Sequence, residues 1–444
     1  MSSDSQRRAT PTPAAVRTVD AIVVGAGHAG LAMSHALSGH GIDHVVIERG
    51  EVASAWRERW DSLRLLTPNW QTRLPSYAHE SHDPDGFMTR HEVVAFLDHY
   101  ARRISAPVST GTEVFAASRE GDGYRLTTSR GRFQCRALVL ASGAHALPHV
   151  PGAAAALPAS VASVTAHDYR RPERLDARHV LVVGASATGV QLAHELLRAG
   201  RQVTLSVGEH VRMPRHYRGL DIQRWLHAAG VLDQRYDQVD DIVRARHVPS
   251  PQLAGTAAPG LLDLNALRDL GARVAGRLVG VADGKVHFSG ALRNHCVMAD
   301  LKLNRLLDAL DRWALEHGCP APLEPERFAP TQVDASPPLA LDLGKERIDA
   351  VLWATGSRPD FGFLRVPCFD RQGRLRHDGG VVDAPGLYAL GLPFLRRRKS
   401  TFIHGAEDDV RDLSVHLARF LDRVSGASRA VGAVGEPLMG PAAR

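Results

Sequence analysis

The chain has 444 residues, enough for two to three domains of roughly 100–200 residues each. Its composition, 44% hydrophobic and 23% charged, is that of an ordinary globular protein, and no stretch approaches the eighteen continuous apolar residues of a membrane span. The formal net charge of +6 is spread along the chain; it favours anionic ligands such as nucleotides and makes no case for nucleic acid.

Residues 1–18 read as a polar, disordered tail, with Arg7, Arg8, Pro11 and Pro13 and no apolar core of a signal peptide. Order is expected from Val19. Residues Val19–Gly25 read as a short buried strand, followed by a helix to about Ser38 and a second strand, His44–Glu48. Between the first strand and the helix stands Gly25-Ala-Gly27-His-Ala-Gly30, a complete G-x-G-x-x-G. Gly25 makes the tight turn, Gly27 admits a pyrophosphate to the backbone, and Gly30 lets helix and strand pack closely. Glu48, eighteen residues beyond Gly30, is placed to accept both ribose hydroxyls. Together these residues predict a dinucleotide fold.

The pattern recurs about 160 residues later. The strand His179–Gly184 leads into Gly184-Ala-Ser186-Ala-Thr-Gly189, a helix Val190–Ala199 and a strand Gln202–Val207. Here Ser186 replaces the middle glycine, adding a Cβ and a hydroxyl that can donate to phosphate. Val207 and Gly208 end the next strand, so the carboxylate that favours NAD is missing. Arg212 and Arg215 follow and suit a 2′-phosphate, which points to NADPH, with NADH left open. The alternative makes them solvated loop charges, and Glu209 weighs against phosphate.

Residues 208–299 exceed what such a unit needs, so a lid or substrate-facing insertion is expected there. Two further apolar strands end in glycine, Leu138–Gly143 and Val351–Gly356. A third, Gly386–Gly391, precedes a helix around Asp408–Leu421. The segment Phe394–Thr401 concentrates positive charge in Arg396, Arg397, Arg398 and Lys399. It is read either as a solvated basic loop or as a contact for phosphates or an anionic substrate. Residues 425–444, rich in Gly, Ala and Pro, read as a second disordered tail.

The four cysteines, Cys135, Cys296, Cys319 and Cys368, form no C-x-x-C pair and no zinc-type cluster. They are expected as reduced thiols in a cytoplasmic protein. H-E-x-x-H and G-x-S-x-G are both absent, so neither a metal nor a serine nucleophile is predicted.

The segment Trp56–Pro68, the two glycine motifs and the strands ending in Gly143 and Gly356 together resemble the class B flavin-containing monooxygenases, over about residues 19–420. Bacterial flavoproteins of that group and the plant indole-pyruvate monooxygenases are the most similar. The linker fingerprint of the family is half present: His167 and Tyr169 fit, whereas Val161 and Ser163 stand in place of its Phe and Gly.

The resemblance implies an α/β chain with two Rossmann-like dinucleotide-binding domains. The NAD(P) domain (166–356) is inserted in an FAD domain (19–165 and 357–424). It implies that Gly25, Gly27, Gly30 and Glu48 hold the ADP part of FAD, with Trp56 and Arg57 near the flavin. Thr67 and Asn69 pass the isoalloxazine as the catalytic candidates. Gly184, Ser186 and Gly189 hold NADPH, with Gly143, Gly356, Ser400 and Thr401 also at the cofactors.

The implied chemistry is reduction of FAD by NADPH, addition of O2 at C4a, and transfer of one oxygen from the (hydro)peroxyflavin to a small organic substrate. Partners are then a small-molecule substrate and O2, with no membrane; a homodimer is left open. An NAD(P)H oxidase or reductase without oxygen transfer, and a redox-sensing flavoprotein that acts on a partner, remain as alternatives. A disulfide reductase lacks its cysteine pair.

Overall fold

The computed structural model describes residues 16–256, 261–319 and 322–433. The chain is mixed α/β, with a ten-stranded sheet and a separate five-stranded one. In the first strand, β1 (Val16–Val24), Ala21, Ile22 and Val23 have no exposed surface. A strand covered on both faces needs that continuous apolar run rather than alternation. β1 lies parallel to both of its neighbours, β2 (His44–Ile47) and the strand Gly131–Leu140. Helix α1 (His28–Gly39) crosses between β1 and β2 and buries Leu31, Met33 and Leu37. Each such side chain contributes roughly 1.5–3 kcal/mol, which fixes the helix to the sheet.

Strand Gly131–Leu140 uses its two halves differently. Its first half pairs antiparallel with Gly123–Thr128, and its last three residues pair in parallel with Leu387–Ala389. The chain therefore returns to the first sheet near its end. β1 starts at Val16 rather than Val19, because residues 16–19 pair with Arg132–Cys135.

The second sheet runs in the order Ala162–Thr165, Ala350–Trp353, His179–Val183, Gln202–Ser206, Arg273–Ala275, all parallel. Since Ala162–Thr165 belongs here, the outward crossing falls before residue 162, not at 165. It runs through Leu147–Pro148, which pairs antiparallel with Ser357–Arg358 on the way back.

Residues 208–256 leave this sheet as short strands and helices, and the 25-residue helix Leu292–Glu316 backs them. Tyr217, Trp225 and Leu226 of the excursion share a core with Leu303, Leu307 and Leu310 of that helix. The last helix, Ala406–Ala433, buries Val410, Leu413, Leu417 and Leu421 at helical spacing on the first core. Its helical span passes residue 424, where the sequence reading ends the ordered chain. Residues 1–15 and 434–444, the remainder of the two expected tails, lie outside the described residues. Among the described residues no helix is long and apolar enough to cross a membrane.

Candidate functional site

The two glycine turns have the same construction. Gly25 has φ +109°, and a Cβ on it would stand 2.4 Å from the Ala141 carbonyl oxygen. A Cβ on Gly30 would stand 1.9 Å from the Gly25 carbonyl oxygen, so α1 meets the strand only because no side chain intervenes. Gly27 differs: nothing lies within 4 Å of its Cβ position. It is also the residue that precedes α1, and no side chain caps the helix there. The first N–H groups of a twelve-residue helix thus stand beside open space, an arrangement that fits a pyrophosphate. Glu48 is buried beside them. Its two carboxylate oxygens accept from Ala26 N (2.8 Å) and Gly50 N (3.0 Å), and each keeps a lone pair for a hydroxyl.

In the second turn Gly184 has φ +110° and would place a Cβ 2.4 Å from the Ala354 carbonyl oxygen. Gly189 repeats the 1.9 Å approach, to the Gly184 oxygen. Ser186 stands where Gly27 stands in the first turn. Its φ of −78° matches the −82° of Gly27, so serine adopts the turn without strain. The Ser186 hydroxyl does not cap its own helix. Gly143 (φ +88°) and Gly356 (φ +89°) follow the neighbouring strand in each sheet and face open space.

The segment Trp56–Asn69 joins the two halves. Trp56 packs on the first core, Trp60 lies in the second, and Leu66 packs on the excursion's core. Asp61 N donates to Arg170 O (2.8 Å), and Ser62 Oγ to Glu195 Oε2 (2.9 Å). The Asn69 amide nitrogen donates to Ser81 Oγ and the Asp83 carbonyl.

Several buried polar atoms beside this segment have no partner among the described residues: Asn69 Oδ1, both amide atoms of Gln71, Thr72 Oγ1, His28 Nε2 and His404 Nε2. Buried polar groups are nearly always satisfied, so such a group of orphans fits a missing polar ligand. His28 opens α1, and the loop leading to His404 starts at Gly391, whose Cβ position is 3.3 Å from Ala29. Arg73 and Glu407 (3.6 Å) tie the Gln71–Thr72 stretch to the end of that loop. The resemblance places His404, near the start of the last helix, towards the flavin; Gln71, Thr72 and His28 belong to no motif, and the sequence carries no signal that marks them.

The excursion touches both the bridging segment and the second turn. Arg215 Nη1 donates to Leu66 O (2.8 Å), and Gln252 Nε2 to Ala185 O in the second turn (2.8 Å). Tyr236 N donates to Arg396 O (2.9 Å), and Arg398 N to Gln234 O (3.1 Å).

Four sequence expectations are corrected by these contacts. Arg212 is 2% exposed and held between Asp263 (2.6 Å) and Asp300. Arg215 is 3% exposed, paired with Asp221 at 2.6 Å and seated 4.8 Å from the Phe87 ring centre. Neither guanidinium is available to a 2′-phosphate. Arg57 gives its guanidinium to Asp98 and the Val52 carbonyl, on the outer helix Arg90–Arg103, rather than to the glycine turn. Ser400 spends its hydroxyl within a turn, accepting from the amides of Arg396 and Arg397 and donating to Arg397 O.

The basic run is not a solvated loop either. Arg396 and Arg397 pair with Asp412, Arg397 also with Asp409, and Lys399 with Asp233 and Asp408. Thr67 and Thr401 are half-buried, on the segment and the loop that border the orphans.

Burial, with Arg73, Lys399 and His227 nearby, pushes the pKa of His404 down to about 3, with Asp233 opposing weakly. His404 therefore stays neutral in the folded protein while the unfolded chain takes up a proton below about pH 6.5. Stability from this group is full above pH 6.5 and is lost as pH falls from 6.5 towards 3. The expected slope is up to about 1.4 kcal/mol per pH unit. Thermal unfolding of His404→Gln against the parent, from pH 7 to 4, should show a shallower loss in the variant.

Cys135, Cys296 and Cys368 are buried. Burial pushes the Cys135 thiol up to about 12 and Cys296 up to about 11, which leaves both inert near neutrality.

A model of the pyridine nucleotide-disulphide oxidoreductase family matches residues 22–229. The chain is 28% identical over 398 residues to an uncharacterised oxidoreductase, CzcO-like, of Geobacillus kaustophilus, covering 89% of this chain and 97% of that one. It is 33% identical over 210 residues to the indole-3-pyruvate monooxygenase YUCCA6 of Arabidopsis thaliana, 45% of this chain and 50% of the relative. A solved flavin-containing monooxygenase from Stenotrophomonas maltophilia superposes with a TM-score of 0.63 at 17% identity, covering 91% and 99% of the two chains. With its paired glycine turns, the chain is similar in sequence to pyridine-nucleotide oxidoreductases and, over about half of its length, to flavin monooxygenases, and it shares the fold of a solved flavin-containing monooxygenase.

Proposed function

We propose that the protein is an FAD-dependent, NADPH-using monooxygenase that delivers one oxygen atom of O2 to a small organic substrate. The observation that carries this reading is the pair of matching turns. Each ends a buried parallel strand, each opens an uncapped twelve-residue helix, and one bridging segment lined with unpartnered polar atoms runs between them. Such a pair suits two dinucleotides meeting across a cleft.

On this reading the ten-stranded sheet is an FAD domain and the five-stranded sheet an inserted NAD(P) domain. Gly25, Gly27, Gly30 and Glu48 hold the ADP half of FAD, and Gly184, Ser186 and Gly189 hold the pyrophosphate of NADPH. Gly143 and Gly356 leave the backbone open at the strand ends. When bound, the flavin supplies hydride acceptance and oxygen activation. The chain's residues do the rest. Trp56 walls one side of the flavin edge, while Thr67, Asn69, Gln71 and Thr72 offer hydrogen bonds there. The excursion 208–256 keeps water out, which limits loss of activated oxygen as peroxide. A neutral His404 can donate or accept a hydrogen bond without adding charge.

The test is direct. The purified protein should carry the visible absorption of bound flavin, bleach on anaerobic addition of NADPH, and consume O2 with an oxygenated product once a substrate is supplied. Failure to bind FAD on reconstitution overturns the proposal. Peroxide in full stoichiometry with NADPH, across a panel of amine, thioether and ketone substrates, would make the protein an oxidase instead.

A further inference from the structure

We propose that Arg277, rather than Arg212 or Arg215, recognises the 2′-phosphate of NADPH. The proposal rests on the second glycine turn being a dinucleotide site and deepens that reading. In such a unit the adenosine ribose lies at the end of the strand after the crossover helix, here Gln202–Ser206. Two residues beyond that strand stands Gly208, which offers no side chain. Arg277 takes the place beside it. Its Cβ, Cγ and Cδ lie 3.5–3.7 Å from where a Gly208 Cβ would be, so the stem runs along the glycine.

The direction of Arg277 is fixed from both sides. Ser206 Oγ donates to Gly276 O (3.0 Å) and accepts from Leu278 N (2.9 Å). The Arg277 carbonyl accepts from Ser289 N (2.8 Å). Gly276 cannot carry a Cβ, which would stand 2.0 Å from the Ser289 carbonyl oxygen. A backbone clamped at 276, 277 and 278 presents one arginine at the strand end.

Charge agrees with geometry. Arg277 is exposed and pairs with no carboxylate among the described residues, unlike Arg212 and Arg215. The neighbouring acid, Glu209, which would repel a phosphate, is held by Lys302 at 2.8 Å. The Lys302 contact also keeps the Glu209 carboxyl below its usual range, so the pair is neutral as a unit at pH 7. A guanidinium fork matches a phosphate in two parallel hydrogen bonds.

The experiment is calorimetric titration of the flavin-loaded protein with 2′,5′-ADP and 5′-AMP, and with NADP+ and NAD+. Flavin content and thermal midpoint are recorded for each variant. The parent should bind 2′,5′-ADP at least tenfold more tightly than 5′-AMP. Arg277→Ala should lose that preference while 5′-AMP affinity stays within twofold, and Arg277→Lys should retain part of it. An unchanged preference in Arg277→Ala overturns the assignment and leaves the dinucleotide site standing. So does a parent that binds NADP+ and NAD+ equally. A parent that binds none of the four ligands overturns the dinucleotide site and the assignment together.

Discussion

Gly27→Ala is expected to fold like the parent and to lose bound flavin, whereas Gly30→Ala is expected to lose stability. Both glycines belong to one hexapeptide, yet they are glycine for different reasons. At Gly27 the backbone is in an ordinary extended conformation and nothing within 4 Å would meet a methyl group. The methyl would instead occupy the space before the first N–H groups of α1. Backbone contact with a pyrophosphate would be pushed outward, and a weakening of about 100-fold, roughly 2.7 kcal/mol, is expected.

At Gly30 the added carbon meets the Gly25 carbonyl oxygen at 1.9 Å and the Ala141 Cβ at 3.4 Å. Neither is the far end of a flexible side chain, so helix and strand must separate. Overpacking of this kind typically costs about 1–3 kcal/mol, and more where backbone must move. Thermal unfolding of the two apo variants separates the cases. The Gly27→Ala midpoint should match the apo parent and the Gly30→Ala midpoint should fall by several degrees. Flavin titration then reads the binding loss in Gly27→Ala. If Gly27→Ala retained parental flavin affinity, the first turn would not be the place where the phosphates lie.

The contrast bears on what the sequence made legible. Glycine spacing after an apolar strand is local information, and both turns lie where the spacing located them, with the strands β1, β2 and His179–Val183 close to their expected bounds. Charge partners are not local. Arg212 meets Asp263 and Asp300, which stand 51 and 88 positions away, so its neighbours in sequence gave no sign that it was already neutralised. The run Arg396–Lys399 misled for the same reason. Its acids come from the excursion (Asp233) and from the start of the last helix (Asp408, Asp409 and Asp412).

The Trp56-Arg57 pair carries no sign of Asp98, which takes the Arg57 guanidinium from a helix 41 positions further on. Ala162–Thr165 is a short edge strand with little apolar signal of its own, so the sequence does not mark the outward crossing there. Arg277 lay outside every motif. It becomes visible only when the strand Arg273–Ala275 is laid beside Gln202–Ser206.

Arg212→Met should be among the most damaging single changes in the second half of the chain, and it should act on stability rather than on cofactor choice. The side chain is 1% exposed, with Asp263 at 4% and Asp300 at 16%. Its guanidinium also donates to the Ala329 carbonyl (3.1 Å), so it ties the excursion to the helix Leu264–Asp269, to the long helix bearing Asp300 and to the 322–333 stretch. Removing one partner of a buried ion pair costs about 3–5 kcal/mol, because the remaining carboxylate stays buried without its countercharge.

A double variant, Arg212→Met with Asp263→Asn, removes the Arg212–Asp263 charge pair while leaving an amide oxygen to cap the helix at Ala266 N, and should recover part of that loss. Asp300 keeps the Thr331 amide and hydroxyl as donors in either variant. Urea unfolding of the parent and the two variants gives the comparison, and the 2′,5′-ADP to 5′-AMP preference measured on the folded fraction should stay at the parental value. A lost preference with unchanged stability would return Arg212 to the phosphate and overturn both its structural role and the assignment of Arg277.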